Sequence, residues 1–204
     1  MIGALVLAAG RSRRMGTQKL LLPLQGRPVI AHVVDELLRS RMDRVLVVVG
    51  EDEGPIREAI ADRPVQFVTN SRAEGEMLSS VRCGLAVLPA QCAAVLVALG
   101  DQPGIAAPVV AKLVDAFRAD GGGIVVPTYQ GKRGHPLLIA MRYRNEILTR
   151  YDNVGLRGLL DAHPEDVLGV EVASPDVLED IDVPADYLRT VDRWTQPSRS
   201  GPRR

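Results

Sequence analysis

The sequence predicts an α/β fold in which helices cover both faces of a mostly parallel sheet, giving a three-layer sandwich. Two kinds of segment alternate along the 204 residues: short apolar runs rich in β-branched residues, and longer stretches with apolar residues three and four positions apart. The short runs are apolar throughout, which is typical of strands buried on both faces. A content of 46% hydrophobic residues is sufficient for the core of one domain.

The elements follow one another in a regular order. The predicted strands are Ala4–Ala9, Arg44–Val49, Val65–Val68, Ala93–Leu99, Ile124–Pro127, Leu137–Ala140 and Val167–Val172. The predicted helices are Val29–Arg39, Pro55–Ala61, Leu78–Leu88, Pro108–Ala119, Arg142–Arg150 and Leu156–Ala162. Pro28, Pro55 and Pro108 stand near helix starts, where a missing N–H is tolerated. The elements after Gly134 are expected to extend the same sheet.

The chain is expected to form a single domain over residues 1–190, followed by a disordered tail over residues 191–204. No internal repeat and no linker rich in Pro, Gly and Ser interrupts the first part. Gln196–Arg204 contains no periodic apolar residue. Trp194 stands just before it and either packs against the last ordered turn or takes part in an interface.

Composition excludes several classes of function. The 25 Lys and Arg residues balance 25 Asp and Glu residues, so the overall positive field typical of proteins that bind nucleic acids or membrane surfaces is missing. Cys83 and Cys92 have neither the spacing nor the neighbouring histidines of a zinc or disulfide site. The first apolar run is too short for a membrane span and has no basic region before it. We therefore expect a cytoplasmic protein with small-molecule substrates.

The first loop has the composition of a phosphate-binding segment. Gly10 and Gly16 allow a ligand to approach the backbone closely, and Arg11, Arg14 and Lys19 supply positive charge. The spacing fits neither a Walker loop nor the GxGxxG pattern. A basic turn exposed to solvent is the alternative interpretation.

Two acidic segments are candidates for metal binding. Asp101 follows a strongly apolar strand, at the edge where open α/β sheets bind ligands. A divalent cation would compensate its buried charge, whereas a helix cap is the alternative. Asp180 and Asp182 are two residues apart on one side of an extended segment, before a helix that begins with proline. Asp182 is either a second metal ligand or a helix cap.

Together these segments resemble the MobA-like molybdopterin nucleotidyltransferases, most closely the molybdenum cofactor cytidylyltransferases, over about residues 3–190. The motifs that carry the resemblance are Leu7-Ala8-Ala9-Gly10 with Ser12, Arg14-Met15-Gly16 and Lys19, Gly26-Arg27-Pro28, Gly100-Asp101-Gln102-Pro103, Gly134-His135-Pro136 and Asp180-Ile181-Asp182-Val183-Pro184. The resemblance implies the Rossmann-like fold of nucleotide-diphospho-sugar transferases. It also implies transfer of CMP from Mg²⁺-CTP to the phosphate of molybdopterin, with release of pyrophosphate.

The resemblance also implies roles for individual residues. The catalytic residues would be Lys19, Asp101 and Arg14, and the Mg²⁺ ligands would be Asp101 and Asp182. The nucleotide-binding residues would be Leu7, Ala8, Ala9, Gly10, Arg11, Ser12, Gly16, Lys19, Asn70, Ser80 and Gly100. The acceptor-binding residues would be Ser79, Arg82, Gln102 and His135. The product is expected to pass to a molybdenum hydroxylase through a transient contact.

Several alternatives remain open at this point. The LAAG and GDQP motifs favour CTP, and the methyl group of Ala9 narrows the space beside the base. The segment GEMLSS departs from the family pattern by Glu76, which leaves the acceptor open. The alternatives are a guanylyl or other nucleotidyltransferase with a different phosphate acceptor, an NAD(P)H-dependent reductase of the same family, and a non-catalytic protein that delivers the cofactor.

Overall fold

The computed structural model describes residues 1–10, 12–40, 42–72, 77–120 and 123–195 of the chain. Its strands are β1 (Ile2–Ala8), β2 (Pro23–Leu24), β3 (Arg27–Pro28), β4 (Arg44–Val49), β5 (Gln66–Thr69), β6 (Ala94–Leu99), β7 (Ile124–Tyr129), β8 (Lys132–Arg133), β9 (Leu137–Ala140) and β10 (Val167–Glu171). Its helices are α1 (Val29–Arg39), α2 (Gly54–Ala59), α3 (Met77–Val87), α4 (Ala107–Asp120), α5 (Arg144–Thr149), α6 (Leu156–Ala162) and α7 (Pro184–Thr195).

Eight strands form one central sheet in the order β10-β7-β9-β6-β1-β4-β5, with β8 paired to β7. β1 lies between β4 and β6 and is parallel to both. β8 and β9 run opposite to the other strands of this sheet. The prediction of a mostly parallel α/β sheet is therefore confirmed.

Two apolar layers lie on the faces of the sheet. On one face, Val33 of α1, Ile56 of α2 and Leu113 of α4 pack against the strands. On the other face, α3, α5 and α6 pack through Leu85, Ile147 and other aliphatic residues. The helix periodicity in the sequence predicts these faces correctly, because apolar residues at three- and four-residue spacings form one stripe of a helix.

Two short hairpins are not predicted from the sequence. Both turns consist of a Gln-Gly pair with positive φ: 48° and 76° at Gln25 and Gly26, and 49° and 76° at Gln130 and Gly131. Such pairs form two-residue turns whose twist matches that of the flanking strands. The first hairpin joins β2 to β3, and the second joins β7 to β8.

The C-terminal helix extends beyond the expected domain boundary. α7 reaches Thr195, so residues 191–195, assigned to the tail, are helical, and Gln196–Arg204 lies outside the described residues. The rings of Trp194 and His32 form a T-shaped pair with their centroids 4.8 Å apart, and the Tyr187 hydroxyl donates to the Pro23 carbonyl at 2.6 Å. These contacts hold α7 against the β2–β3 hairpin and α1. In the part of the chain that the structure describes, no helix has the length and hydropathy needed to cross a bilayer.

Candidate active site

The first loop and the Asp101 turn meet because β1 and β6 are neighbours in the sheet. The two strands are parallel, with Leu7 opposite Leu99, so the segments after them leave the same edge. The N–H of Gly100 donates to the Leu7 carbonyl at 3.0 Å. A Cβ at Gly100 would lie 2.9 Å from that oxygen, so any side chain there would push the two segments apart.

Ser12 determines the shape of the loop after β1. Its backbone is left-handed, with a φ of 48°. Its hydroxyl donates to the side-chain carbonyl of Gln18 at 2.9 Å and accepts from the Lys19 N–H at 3.2 Å. These bonds join the two ends of the loop, so Ser12 stabilises the loop conformation.

The other residues of the first motif offer a bound nucleotide backbone groups and free space instead of polar side chains. Ala8 and Ala9 are buried, so their contribution to a bound nucleotide would come from backbone groups. A Cβ built at Gly10 or Gly16 has no described atom within 4 Å. A ligand can therefore approach the backbone closely at both glycines. Arg11 lies outside the described residues.

Lys19 lies between the two aspartates that the sequence assigns to metal binding. Its Nζ is 2.5 Å from Oδ2 of Asp101 and 3.0 Å from Oδ1 of Asp182. Nη1 of Arg14 donates to Oδ2 of Asp182 at 2.9 Å. Burial opposes the charge on Lys19, but the two carboxylates outweigh it and raise the pKa of Lys19 above its usual value. Lys19 is therefore a cation at neutral pH.

Asp180 joins Asp101 and Asp182 in a cluster of three carboxylates. One oxygen from each lies within 4.8 Å of the others. Burial, together with the negative charges of Asp101 and Asp182, raises the pKa of Asp180. The sequence analysis did not assign Asp180 as a ligand, although the two-residue spacing from Asp182 is the pattern that would have found it.

Backbone contacts fix the segment that carries Asp180 and Asp182. The buried Ile181 between them donates its N–H to the Asp101 carbonyl at 3.1 Å. Oδ2 of Asp186 accepts from the N–H groups of Asp182 and Val183, both at 2.9 Å. Asp186 is thus the side chain that caps the start of α7, which leaves the Asp182 carboxylate to the cations.

Asn70 and the serines of α3 form a second polar group. Asn70 is buried after β5, and its Nδ2 donates to the hydroxyls of Ser79 and Ser80 at 3.0 Å each. Its Oδ1 accepts from the N–H of Arg72 at 3.0 Å. Asn70 therefore links the end of β5 to the first turn of α3. Residues 73–76, including the unusual Glu76, lie outside the described residues.

Arg82 is not brought to the carboxylate cluster. Its guanidinium donates to the carbonyls of Ile147 at 2.8 Å and Arg150 at 2.5 Å, and to Asp152 at 2.6 Å. It thereby ties α3 to the segment after α5. The assignment of Arg82 to the acceptor stays a prediction.

Gln102 and His135 do lie near the cluster. Gln102 is 3% exposed, and its Oε1 has no hydrogen-bond partner among the described residues. An unpaired buried acceptor of this kind is rare in folded proteins. His135 donates its backbone N–H to the Val177 carbonyl at 2.9 Å. Burial lowers the pKa of the His135 ring, and the charge of Asp101 opposes this effect.

His135 also lines a cavity of about 700 Å³. The cavity lies between the first residues of α3, the segment from β8 to β9, and the loop and helix at Asn153–Asp161. Gly134 closes its inner side, since a Cβ there would lie 2.2 Å from the Val177 carbonyl oxygen. The site therefore has two parts, a charged cluster and a cavity, with His135 between them.

Comparison with known proteins gives a consistent family. Residues 4–167 match the model described as MobA-like NTP transferase domain. The chain is 34% identical over 170 residues to the bifunctional protein GlmU of Burkholderia orbicola, covering 82% of this chain and 35% of that protein. It is 26% identical over 197 residues to the molybdenum cofactor cytidylyltransferase of Escherichia coli, covering 96% and 98%. The chain spans 27% to 35% of the length of the GlmU proteins that it matches.

Solved structures agree with this result. Rv0371c from Mycobacterium tuberculosis has a TM-score of 0.85 and 27% identity, covering 94% of this chain and 97% of that chain. A structure of Rv0371c in complex with manganese has a TM-score of 0.79 and 25% identity, covering 94% and 98%. The comparisons confirm the resemblance and the fold predicted from the motifs.

Proposed function

This chain belongs to the MobA-like NTP transferase family, and we propose that it transfers CMP from Mg²⁺-CTP to the phosphate of a molybdopterin-type acceptor, with release of pyrophosphate. The observation that carries the proposal is the position of Lys19 between Asp101 and Asp182 at the carboxyl ends of β1 and β6. Phosphoryl-type transfer depends on positioning and charge neutralisation. The full-length similarity to the cytidylyltransferase supports CTP as the donor.

Asp101, Asp180 and Asp182 are the residues that would hold the divalent cation. Carboxylate oxygens are the ligands that Mg²⁺ and Mn²⁺ prefer, and three of them at this separation fit one ion. When bound, the cation would neutralise negative charge on the triphosphate. The manganese complex of the similar protein Rv0371c supports a divalent cation in this fold.

Lys19, Arg14 and the loop backbone would hold the triphosphate. Lys19 is charged and only 13% exposed, so its attraction to a phosphate is screened little by water. Arg14 is 73% exposed and pairs with Asp182, which allows it to turn towards a phosphate. The positive charges of Lys19 and Arg14, placed next to the β- and γ-phosphates, would stabilise the leaving pyrophosphate.

The acceptor would enter from the cavity side of His135. An ionised phosphate is already a nucleophile, so the transfer needs no general base. His135 has a lowered pKa and would be neutral near pH 7, so its role would be to position the acceptor. Gln102, with its unpaired buried oxygen, would contribute a hydrogen-bond-accepting atom beside His135.

The remaining expectations belong to the same proposal. The chain would act in the cytoplasm on small molecules and would pass its product to a molybdenum hydroxylase. Residues 1–190 would form its single catalytic domain, with α7 completing the site through Asp182.

Pyrophosphate release tests the proposal directly. The full chain is incubated with Mg²⁺, molybdopterin and CTP, GTP, UTP or ATP in parallel, and release is expected with CTP and molybdopterin together. Preference for GTP would reassign the base, and release with glucose 1-phosphate in place of molybdopterin would reassign the acceptor.

A thermal-shift series separates the remaining alternatives. A ligand at about 100 times its Kd stabilises the folded chain by roughly 2.7 kcal/mol, so CTP with Mg²⁺ should raise the midpoint measurably. Stabilisation by NADPH would favour a reductase. Stabilisation by CTP without pyrophosphate release would favour a delivery protein.

A further inference from the structure

The cavity beside His135 carries positive charge that the protein does not compensate. Arg133 and Arg157 line it, and neither guanidinium has a hydrogen-bond or ion-pair partner in the described part of the chain. Asp161 also lines the cavity, four residues after Arg157, but forms no ion pair with it. The volume of about 700 Å³ is in the range of small-molecule sites.

The rest of the lining is largely apolar. Leu78, Val126 and Leu156 contribute aliphatic surface. Met77 and Val154, which also line the cavity, are 47% and 56% exposed. Large exposed apolar side chains around a cavity indicate a surface that a ligand covers. A ligand that fits this site has an apolar or ring-shaped body and negative charge.

The fold directs one cation of an adjacent pair into the cavity. β8 consists of Lys132 and Arg133, and consecutive residues of a strand point to opposite faces. Both residues are exposed, but Arg133 lines the cavity and Lys132 is not part of the lining. The alternation along β8 therefore places Arg133, and not Lys132, at the cavity.

The wall that carries Arg157 is preformed. Tyr151, Asn153 and Gly155 all have positive φ, between 65° and 74°. Such backbone conformations persist in non-glycine residues only where the surroundings fix them. Arg82 contributes to that restraint together with the loop's own bonds to the Tyr151 carbonyl, since it binds Asp152 at 2.6 Å and the carbonyls that precede this loop. Arg82 is thus a positioning residue for the cavity wall.

We propose that the cavity holds the body of the acceptor, and that Arg133 and Arg157 bind a second anionic group of that acceptor, separate from the phosphate that attacks the nucleotide. A planar guanidinium forms paired hydrogen bonds with carboxylates and phosphates. Two unpartnered guanidiniums at one apolar cavity therefore select an acceptor with two anionic groups. The inference rests on the proposed function for the assignment of the cavity to the acceptor.

Two small probes test the second anion. Phenyl phosphate carries one anionic group, and 4-carboxyphenyl phosphate carries a second one across the ring. Each is titrated calorimetrically into the full chain with Mg²⁺ and a non-hydrolysable CTP analogue. The wild type is expected to bind the two-anion probe about tenfold more tightly, and Arg133→Gln and Arg157→Gln should each remove most of that preference.

Lys132→Gln is the matched control, because it removes a neighbouring cation that does not line the cavity. It should keep the tenfold preference. Asp161→Asn should increase the preference, because it removes a negative charge that repels the anionic probe. Equal affinity for the two probes, failure of both to bind, or an equal loss in Lys132→Gln and Arg133→Gln would overturn the inference. All variants should retain the wild-type affinity for CTP and the wild-type thermal midpoint.

The proposed function can fail independently. A tenfold probe preference without pyrophosphate release would reject the transfer reaction and leave the anion site standing. Release of pyrophosphate from CTP in the presence of molybdopterin, with an unchanged KM for molybdopterin in Arg133→Gln and Arg157→Gln, would support the transfer reaction and reject the anion site.

Discussion

The two charged regions on either side of His135 differ in how their charges are compensated. In the carboxylate cluster, Asp101 and Asp182 face Lys19 at 2.5 and 3.0 Å. In the cavity, the guanidiniums of Arg133 and Arg157 have no partner among the described residues. The cluster therefore contains its own counter-ions, whereas the exposed guanidiniums of the cavity are free to bind an anionic ligand.

This difference indicates how each region responds to its ligand. A divalent cation that enters the cluster alone must compete with Lys19 for the Asp101 carboxylate. A triphosphate removes that competition, because it offers Lys19 other anionic partners. We therefore expect the cation to bind much more tightly with the nucleotide than without it, whereas an anion entering the cavity displaces no protein group.

The largest effect is expected from Lys19→Met. Loss of a positioned charge that stabilises the leaving group should reduce kcat by a factor of roughly 10² to 10³. The same change frees Asp101 and leaves Asp182 paired with Arg14 alone, so Mg²⁺ without nucleotide should bind more tightly than in the wild type. Pyrophosphate release and calorimetric titration of Mg²⁺ measure the two opposite effects.

Lys112→Met is the control for that change, because Lys112 lies on α4 and donates to the Glu171 carbonyl. It should alter neither quantity. Wild-type turnover in Lys19→Met would remove Lys19 from the mechanism.

The next effect concerns the cavity wall and is tested by Arg82→Gln. Loss of the bonds to Asp152, Ile147 and Arg150 should let the left-handed loop relax and cost about 1–3 kcal/mol of stability. We expect the KM for the acceptor to rise about tenfold while the KM for CTP stays unchanged.

Arg144→Gln is the matched control for Arg82. Arg144 also joins α5 to the C-terminal end of α3, through the carbonyls of Leu88 and Ala86, but it lies away from the 151–155 loop. It should lower stability without changing the acceptor KM. An equal rise in both KM values for Arg82→Gln would contradict a role confined to the cavity.

A smaller effect is expected from Asp180→Asn, which removes one carboxylate of the cluster. The Mg²⁺ concentration for half-maximal activity should rise severalfold, because a neutral amide binds the cation less strongly than a carboxylate. The thermal midpoint without metal should rise, because the repulsion from Asp101 and Asp182 is gone. Glu179→Gln, one residue earlier and paired with Arg193, should change neither; a metal dependence like that of the wild type in Asp180→Asn would exclude Asp180 as a ligand.

The cluster could be predicted from the sequence to a greater extent than the cavity. Lys19, Asp101 and Asp182 stand in local motifs after strands or before a helix. Strand adjacency brings the Lys19 loop to Asp101, and the backbone bond from Ile181 to Asp101 brings Asp182 to both. The cavity is built from separate segments around residues 77, 133 and 157, and its packing is not encoded in any local pattern. The contacts of Arg82 could not be predicted for the same reason, since its partners are 65 to 70 residues away.

The smallest expected effect concerns the small core below the cluster, where His32 is buried next to Trp194. Its Nε2 lies 2.8 Å from the Leu24 carbonyl and its Nδ1 lies 3.0 Å from the Arg27 guanidinium, so both nitrogens are satisfied in the neutral ring. Burial lowers the pKa of His32, and Arg27 contributes to the shift.

Because the folded state resists this proton, stability should decrease as the pH falls below the unfolded pKa of about 6.5, by at most about 1.4 kcal/mol per pH unit for this one group. Urea unfolding at pH 7.5 and 5.5 should show a smaller decrease for His32→Gln than for the wild type. His135 contributes a decrease of the same sign, so the variant retains part of the acid sensitivity. Equal decreases in both proteins would show that His32 takes up its proton without disturbing the core that holds α7, and with it Asp182, against the nucleotide loop.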